Sequence, residues 1–358
     1  MKRRVFLSGP LLLLVPGRAA AAEYPSYPQV RAGRPLVFPR DHGSHPAYRT
    51  EWWYITGRLR SKEGDDLGMQ ITFFRNRPGI GENNPSRFAP RQLLFAHAAL
   101  SDARIGRLLH DQRAARAGFG LAAASEADTD VRMQEWSLKR KGEDYEARIT
   151  AHAFEYALRF RPAQPLLLEG EGGFSRKGPD SRQASYYYSR PHLEASGSAT
   201  IKGRKIELTG TAWLDHEWSS EALAAEAAGW DWVGLNLAER GALMAFRMRD
   251  KKGGIYWAGG THRDGTGRIR ILRPDEIAFT PLRRWRSPRT QAEYPVAMRI
   301  RAGTMELVLE PSMDDQELDS RASTGTIYWE GAVQARDAER PAGQGYLELT
   351  GYWKPLRL

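Results

Sequence analysis

The chain has 358 residues, with 53 Lys and Arg against 43 Asp and Glu, eleven tryptophans and no cysteine. Without cysteine there is no disulfide framework, thiol nucleophile or thiolate metal site, and 41% hydrophobic with 10% aromatic residues excludes global disorder. The length fits two domains of roughly 100–200 residues each, and the formal charge of +10 raises nucleic acid or an anionic membrane as a partner.

Residues 1–22 read as an export signal. Lys2, Arg3 and Arg4 form a basic start, Val5 to Val15 a short apolar run, and Ala20 to Ala22 an A-x-A cleavage point. The apolar run is shorter than the about 20 residues that span a bilayer, so no transmembrane anchor is expected. Arg3-Arg4-Val5-Phe6-Leu7 fits the twin-arginine pattern, and an ordinary secretory signal fits as well. A periplasmic or secreted product is the expectation. Four of the 53 basic residues (Lys2, Arg3, Arg4, Arg18) belong to this segment, which leaves 49 against 43. A net +6 is an ordinary solvated surface, so nucleic acid is not expected and attraction to an anionic envelope surface would be weak.

From Arg49 the chain alternates short apolar–polar runs with turn signals, the pattern of antiparallel sheet. Strands are predicted over 52–59, 68–75, 93–100, 132–140, 145–151, 156–161, 184–189, 194–201 and 205–213. Lys62-Glu63-Gly64-Asp65, Lys141-Gly142 and Lys202-Gly203 punctuate them. One helix is predicted, over 219–228, where Ala, Glu and Leu dominate. The second half repeats the strand grammar over 230–237, 242–249, 255–262, 268–273, 295–301, 305–311, 326–335 and 345–353, with hairpin turns at Gly253-Gly254 and Asp264-Gly265. The run Arg283, Arg284, Arg286, Arg289 around Trp285 reads as a solvated loop.

The halves echo one another. Each opens on tryptophans, Glu51-Trp52-Trp53-Tyr54 and Gly229-Trp230-Asp231-Trp232. Each closes on an E-L-T-G strand, Glu207 to Gly210 before Trp213 and Glu348 to Gly351 before Trp353. About eight antiparallel strands per unit would expose edges unless the sheet closes. The expected fold is therefore all-β: two antiparallel β-barrels packed together with little helix, over residues 40–218 and 219–358.

Several segments together resemble a known family: His45-Pro46 with Glu51-Trp52-Trp53-Tyr54-Ile55-Thr56-Gly57, Phe95-Ala96-His97-Ala98, Tyr186-Tyr187-Tyr188-Ser189-Arg190-Pro191, Gly210 to Ser219, Gly229-Trp230-Asp231-Trp232 and Tyr328-Trp329-Glu330-Gly331. They are similar to the two-domain lipocalin-like family of hydroxyneurosporene synthases (carotenoid hydratases) and AttH-like predicted secreted hydrolases. The resemblance runs from about residue 40 to the end. It implies lipocalin-like barrels with a ligand pocket near their junction, and it adds weight to His216 and Trp218 as pocket residues.

The densest polar cluster is Asp215-His216-Glu217, between Trp213 and Trp218. Adding water to an alkene needs an acid strong enough to protonate carbon and a base to activate water. Carboxylates and imidazole among aromatics suit both, because burial raises a carboxyl pKa and ring faces stabilise a developing cation. On a continuing strand Asp215 and Glu217 point one way, His216 and Trp218 the other. Glu51, flanked by Trp52 and Trp53, is the second candidate, with His97 as an expected partner. Asp215, His216, Glu217, Glu51 and His97 are thus the candidate catalytic residues. Trp52, Trp53, Tyr187, Trp218, Trp230 and Asp231 are the candidate ligand-binding ones. An ion-pair network fixing one barrel on the other explains the polar cluster equally well, and packing explains most of the aromatics.

With no H-E-x-x-H and no cysteine, neither a metal nor another cofactor is expected. With no G-x-S-x-G and no strand–turn–helix setting, a serine hydrolase is not supported. Three readings stand: a hydratase- or cyclase-type lyase on an apolar small molecule, a non-catalytic carrier of such a ligand, and a structural interaction platform.

Overall fold

The computed structural model describes residues 26–221 and 223–356, so the expected signal segment lies outside the described residues. The chain folds into two antiparallel sheets, thirteen-stranded over residues 50–219 and ten-stranded over 227–349. The β-branched and aromatic character of the strands and their period-two patterning select this architecture. The strand Phe154–Pro162, for example, alternates buried and exposed residues along nearly its whole length.

Six strands position the site: β1 (Thr50–Ser61), β2 (Ala184–Ile201), β3 (Arg204–Ser219), β4 (Ala227–Leu237), β5 (Thr326–Asp337) and β6 (Arg340–Leu349). In the first sheet the opening strand β1 pairs with the closing strand β3 from Thr50↔Ser219 to Ser61↔Leu208, and β3 pairs onward with β2. In the second the opening strand β4 pairs with the closing strand β6 through Asp231↔Leu349 and Val233↔Leu347. The matched motifs at the ends of the two halves thus mark one shared closure, first strand against last. A bridge between Gly118 and Ala122 joins the ends of the first sheet into a nearly closed barrel. Each sheet encloses its own apolar core. A third cluster, Tyr54, Tyr187, Trp213, Trp232, Met244, Phe246 and Tyr346 among others, fills the seam between them. The joining strands are consequently buried on both faces: in β1 every residue from Trp53 to Gly57 is buried.

Five local expectations are corrected. The described residues of 219–228 form no helix: Ser219 completes the ladder of β3 and Ala227 begins β4, so tertiary pairing overrides the propensity of a run too short to be stable alone. The strand expected over 132–140 is two, Asp130–Met133 and Trp136–Lys141, turned at Gln134 with φ 55°. The strands expected over 184–189 and 194–201 are one, β2, which passes Pro191 through a bulge between Arg190 and Leu193. The arginine run lies largely on an edge strand, Ile277–Arg286, rather than a loop. The closing strand also stops at Leu349, leaving Trp353 outside it. Among the described residues no helix is long and apolar enough to cross a membrane.

Candidate functional site

Strand alternation divides the expected polar cluster. Across the β1–β3 ladder Glu51 faces Trp218, Trp53 faces His216, Trp52 faces Glu217 and Tyr54 faces Asp215. Glu51, Trp53, His216 and Trp218 therefore share the inner face of the first barrel, while Trp52, Tyr54, Asp215 and Glu217 share the outer face, which meets the second sheet.

The inner group is closed and saturated. Glu51 is fully buried; its Oε1 accepts from His45 Nδ1 at 2.7 Å and His216 Nε2 at 2.9 Å, and its Oε2 from Arg75 Nε at 2.8 Å and the His45 backbone N–H at 2.9 Å. Burial pushes the Glu51 carboxyl up, but the Arg75 guanidinium and the two imidazole donors outweigh it and hold the group well below the usual carboxylate range. His45 Nε2 reaches Asp41 Oδ1 at 3.1 Å, so both its ring nitrogens face carboxylates. His216 is pushed down to about 4 by burial and stays neutral, donating from Nε2 to Glu51 with Nδ1 3.2 Å from Tyr188 Oη. His45 stacks on Trp218 at 3.7 Å between ring centroids, and His216 on Trp53 at 4.7 Å. The ligand atoms of His45, Glu51 and His216 lie within 4.8 Å of one another. Their 2.7 and 2.9 Å N···O separations are those of hydrogen bonds, whereas ligand atoms around a tetrahedral zinc stand roughly 3.3 Å apart. As placed, the trio is a hydrogen-bonded set, and an ion would have to spread it. This group fixes the barrel interior.

The outer group meets acids that sequence reasoning did not single out. Asp215 Oδ1 accepts from Trp213 Nε1 at 2.7 Å and lies 2.5 Å from Ser189 Oγ; the same hydroxyl lies 2.7 Å from Glu169 Oε1. One hydroxyl proton serves only one carboxylate, so the other carboxyl must carry its own proton. Burial pushes Glu169 up to about 8 and Asp215 to about 7, against the lowering pull of their donors. Glu217 accepts from Ser185 Oγ at 2.5 Å and pairs with Lys177 Nζ at 2.9 Å. From the second sheet, Glu330 on β5 and Glu348 on β6 stand directly opposite in the ladder. Like charges in that position repel, and burial together with Glu348 drives Glu330 well above the usual carboxylate range. Glu348 accepts from Trp230 Nε1 at 2.7 Å and is pushed by burial to about 7. Glu330 Oε1, Glu169 Oε2 and Tyr54 Oη are buried without hydrogen-bond partners, an uncommon condition that a ligand or water would relieve.

This seam is packed with side chains rather than hollow. The crevice between Thr56, Trp213, Asn236 and Tyr346 measures about 10 Å³, room for one water. Trp52, Leu223, Trp230, Tyr256 and Trp257, packed on the seam cluster, keep partial exposure, as does Glu348. The seam therefore opens to solvent on the side where Glu348 and Trp230 lie.

Of the remaining expected residues, one joins the seam and two lie elsewhere. Tyr187 belongs to the seam, where its Oη accepts from Trp232 Nε1 at 3.1 Å. The expected Glu51–His97 pair does not form. The strand Leu93–Asp102 is two places from β1, and His97 turns to the second sheet, bonding Tyr328 Oη and Ser323 Oγ. Asp231 lies inside the second unit, where Arg247 Nε at 2.6 Å, Arg249 Nε at 3.1 Å and Tyr352 Oη at 3.0 Å saturate it. It is the counterpart of Glu51, a carboxylate beside tryptophan holding arginine within a barrel. Glu330 and Glu348 stand in motifs noted for their tryptophan and their echo, which is the signal that could have found them. Glu169, between two short strands, had none.

The AttH-like family model matches residues 29–352. A crystal structure of an AttH-type protein from Nitrosomonas europaea is 52% identical, covers 91% of this chain and 99% of its own, and superposes with a TM-score of 0.86. Kievitone hydratase from Nectria haematococca shares the fold at 14% identity, with 92% and 98% covered and a TM-score of 0.70. CghA, crystallised with Sch210972, does so at 12%, with 84% and 89% covered and a TM-score of 0.52. Among curated proteins none matches the sequence.

Proposed function

We propose, for a chain that belongs to the AttH-like family, that the interdomain seam is an acid–base site adding water to, or removing it from, a carbon–carbon double bond of an apolar small molecule. The observation that carries this is the Glu330–Glu348 pair. Two carboxyls directly opposite on neighbouring strands, one kept neutral and one near 7, stand among aromatic rings where the seam opens. Environments that push two carboxyl groups apart in this way separate an acid from a base. Glu330 donates its proton to the alkene carbon, the faces of Trp52, Tyr54 and Trp230 shield the cation, and the ionised Glu348 takes a proton from the water that attacks it. Asp215 and Glu169 supply a second acid pair deeper in the seam. The hydratase named among the fold neighbours is in keeping with this chemistry. An apolar ligand enters by displacing Trp52 and Trp230.

The test is isotopic and works while the substrate is still unidentified. The protein is incubated with an apolar metabolite extract in H2(18)O, and products are screened by mass spectrometry for label. Incorporation is expected with the wild type and lost in both E330Q and E348Q. Label that persists in E330Q, or none with the wild type, refutes the assignment. A carrier would retain ligand without labelling it.

A further inference from the structure

The two most exposed large apolar side chains among the described residues, Ile80 at 67% and Phe88 at 63%, stand on one loop, residues 77–92. A second turn, Gly118 to Leu121, adds Phe119 at 49% and Leu121 at 37%. The two segments meet in space. The Phe88 and Phe119 rings stack with centroids 4.9 Å apart and an interplanar angle of 6°, and the Arg116 guanidinium lies 4.7 and 4.6 Å from their centroids. The loop also returns on itself: a methyl built on Gly81 would lie 3.6 Å from Ala89 Cβ, which brings Ile80 back toward Phe88. Four apolar side chains thus form one exposed cluster, of the kind that marks an interaction surface.

The cluster is held out rather than left loose. Phe119 is kept at φ 56°, a left-handed conformation that a bulky residue seldom takes. Arg77 forks onto Glu82 at 2.9 and 3.0 Å, Arg91 donates to the Asn84 carbonyl at 2.8 Å, and Arg116 donates to the Phe88 carbonyl at 2.8 Å. The charge around the cluster has one sign. Residues 77–92 and 113–124 hold five arginines and a single acid, Glu82, which Arg77 takes, while Arg113 pairs with Glu135. Arg87, Arg91 and Arg116 remain, with no ion pair among the described residues.

We propose that this cluster docks the protein on an anionic phospholipid surface, with Ile80, Phe88, Phe119 and Leu121 entering the headgroup layer and Arg87, Arg91 and Arg116 meeting the phosphates. A net +6 spread over the whole molecule attracts weakly, but three arginines around four apolar side chains concentrate both forces that hold a protein at a bilayer boundary. A second copy fits worse, because across a two-fold axis the same arginines would face their own copies. Arg116, Leu93, Asn76, Thr50 and Ser219 stand in one row at the end of the first barrel, each opposite the next. Trp52, at the open side of the seam, is two residues along β1 from Thr50. Docking therefore puts the seam's opening on the lipid side of the barrel.

The experiment is flotation with vesicles of phosphatidylcholine, alone or mixed with phosphatidylglycerol. The chain is used from Glu23 onward, because the apolar run of the expected signal would itself bind lipid, and both sheets lie within residues 50–349. At low salt it is expected to float with the mixed vesicles about tenfold more strongly than with phosphatidylcholine alone, and added salt is expected to weaken that binding. F88S/F119S, which changes only exposed side chains, is expected to lower binding to the mixed vesicles about tenfold with an unchanged melting temperature. R87E, also at an exposed position, is expected to lower it as well. No flotation of the wild type with the mixed vesicles, or equal flotation of F88S/F119S, overturns the docking. So does sedimentation that shows a wild-type dimer lost in F88S/F119S, which would give the cluster to a second copy. Flotation does not involve the seam acids, so its failure would leave the reading of Glu330 standing.

Discussion

Replacing Glu169 by glutamine should stabilise the protein increasingly as pH rises. Ser189 Oγ is shared between Glu169 and Asp215, and its single proton leaves one of the two carboxyls to be protonated. Glu169 is fully buried, and its carboxyl moves from an ordinary 4.5 in the unfolded chain to about 8 in the fold. Because the folded state binds the proton more tightly, the contribution to stability is complete below about pH 4.5. It declines as pH rises toward 8 and is flat above. The slope is at most about 1.4 kcal/mol per pH unit, and sharing the proton with Asp215 brings the total to on the order of a few kcal/mol. In E169Q the amide N–H donates to Ser189 as the carboxyl O–H does, so the packing is retained and the titration removed. Calorimetric melting of both proteins from pH 5 to 8.5 reads the difference. The two curves should diverge by several degrees toward pH 8, with E169Q the higher. Parallel curves across that range would refute the reasoning.

Glu51→Ala should cost about 3–5 kcal/mol, because it strands the buried Arg75 and the His45 and His216 rings that Glu51 holds. A fall in melting temperature of roughly 6–20 °C is the expected reading, and a change within a degree would show the network to be dispensable. Gly68→Ala should loosen the seam. An added methyl would meet Ser101 Oγ, come 2.6 Å from Tyr346 Oη and 2.9 Å from Ala332 Cβ, so that overpacking costs about 1–3 kcal/mol. Faster proteolysis between residues 219 and 227, with the first barrel intact, is the expected outcome; unchanged cleavage would refute it.

The division of Asp215-His216-Glu217 was legible in the sequence, since period-two alternation on a strand requires it, and the placement of His216 with Glu51 and Asp215 with Tyr54 follows from one register. The closure of each unit was legible as well, in the repeated tryptophan opening and E-L-T-G ending. What could not be read was which distant strands lie side by side. Glu330 and Glu348 are ordinary letters until β5 and β6 pair, and only then do they become an acid and its repelling neighbour. The helix expected over 219–228 failed for the same reason. Local propensity favoured it, and the long-range ladders at Ser219 and Ala227 decided otherwise. His97 was chosen for its small neighbours, which do leave room, but for a partner far along the chain, Tyr328, rather than Glu51.

The pairing of each unit's first strand with its last bears on how the chain acquires its shape. Thr50 meets Ser219 across 169 residues, and Trp230 meets Thr350 across 120. Contacts so distant in sequence are entropically costly to close and dominate the folding rate of β proteins. The first barrel cannot complete itself until nearly two thirds of the chain exists. Until then β1 offers an unpaired edge carrying Trp52, Trp53 and Tyr54, apolar surface of the kind on which nascent chains aggregate. Only once both sheets have closed can the acids of the seam lose water and acquire their unequal protonation. The chemistry is therefore the last property of the fold to emerge.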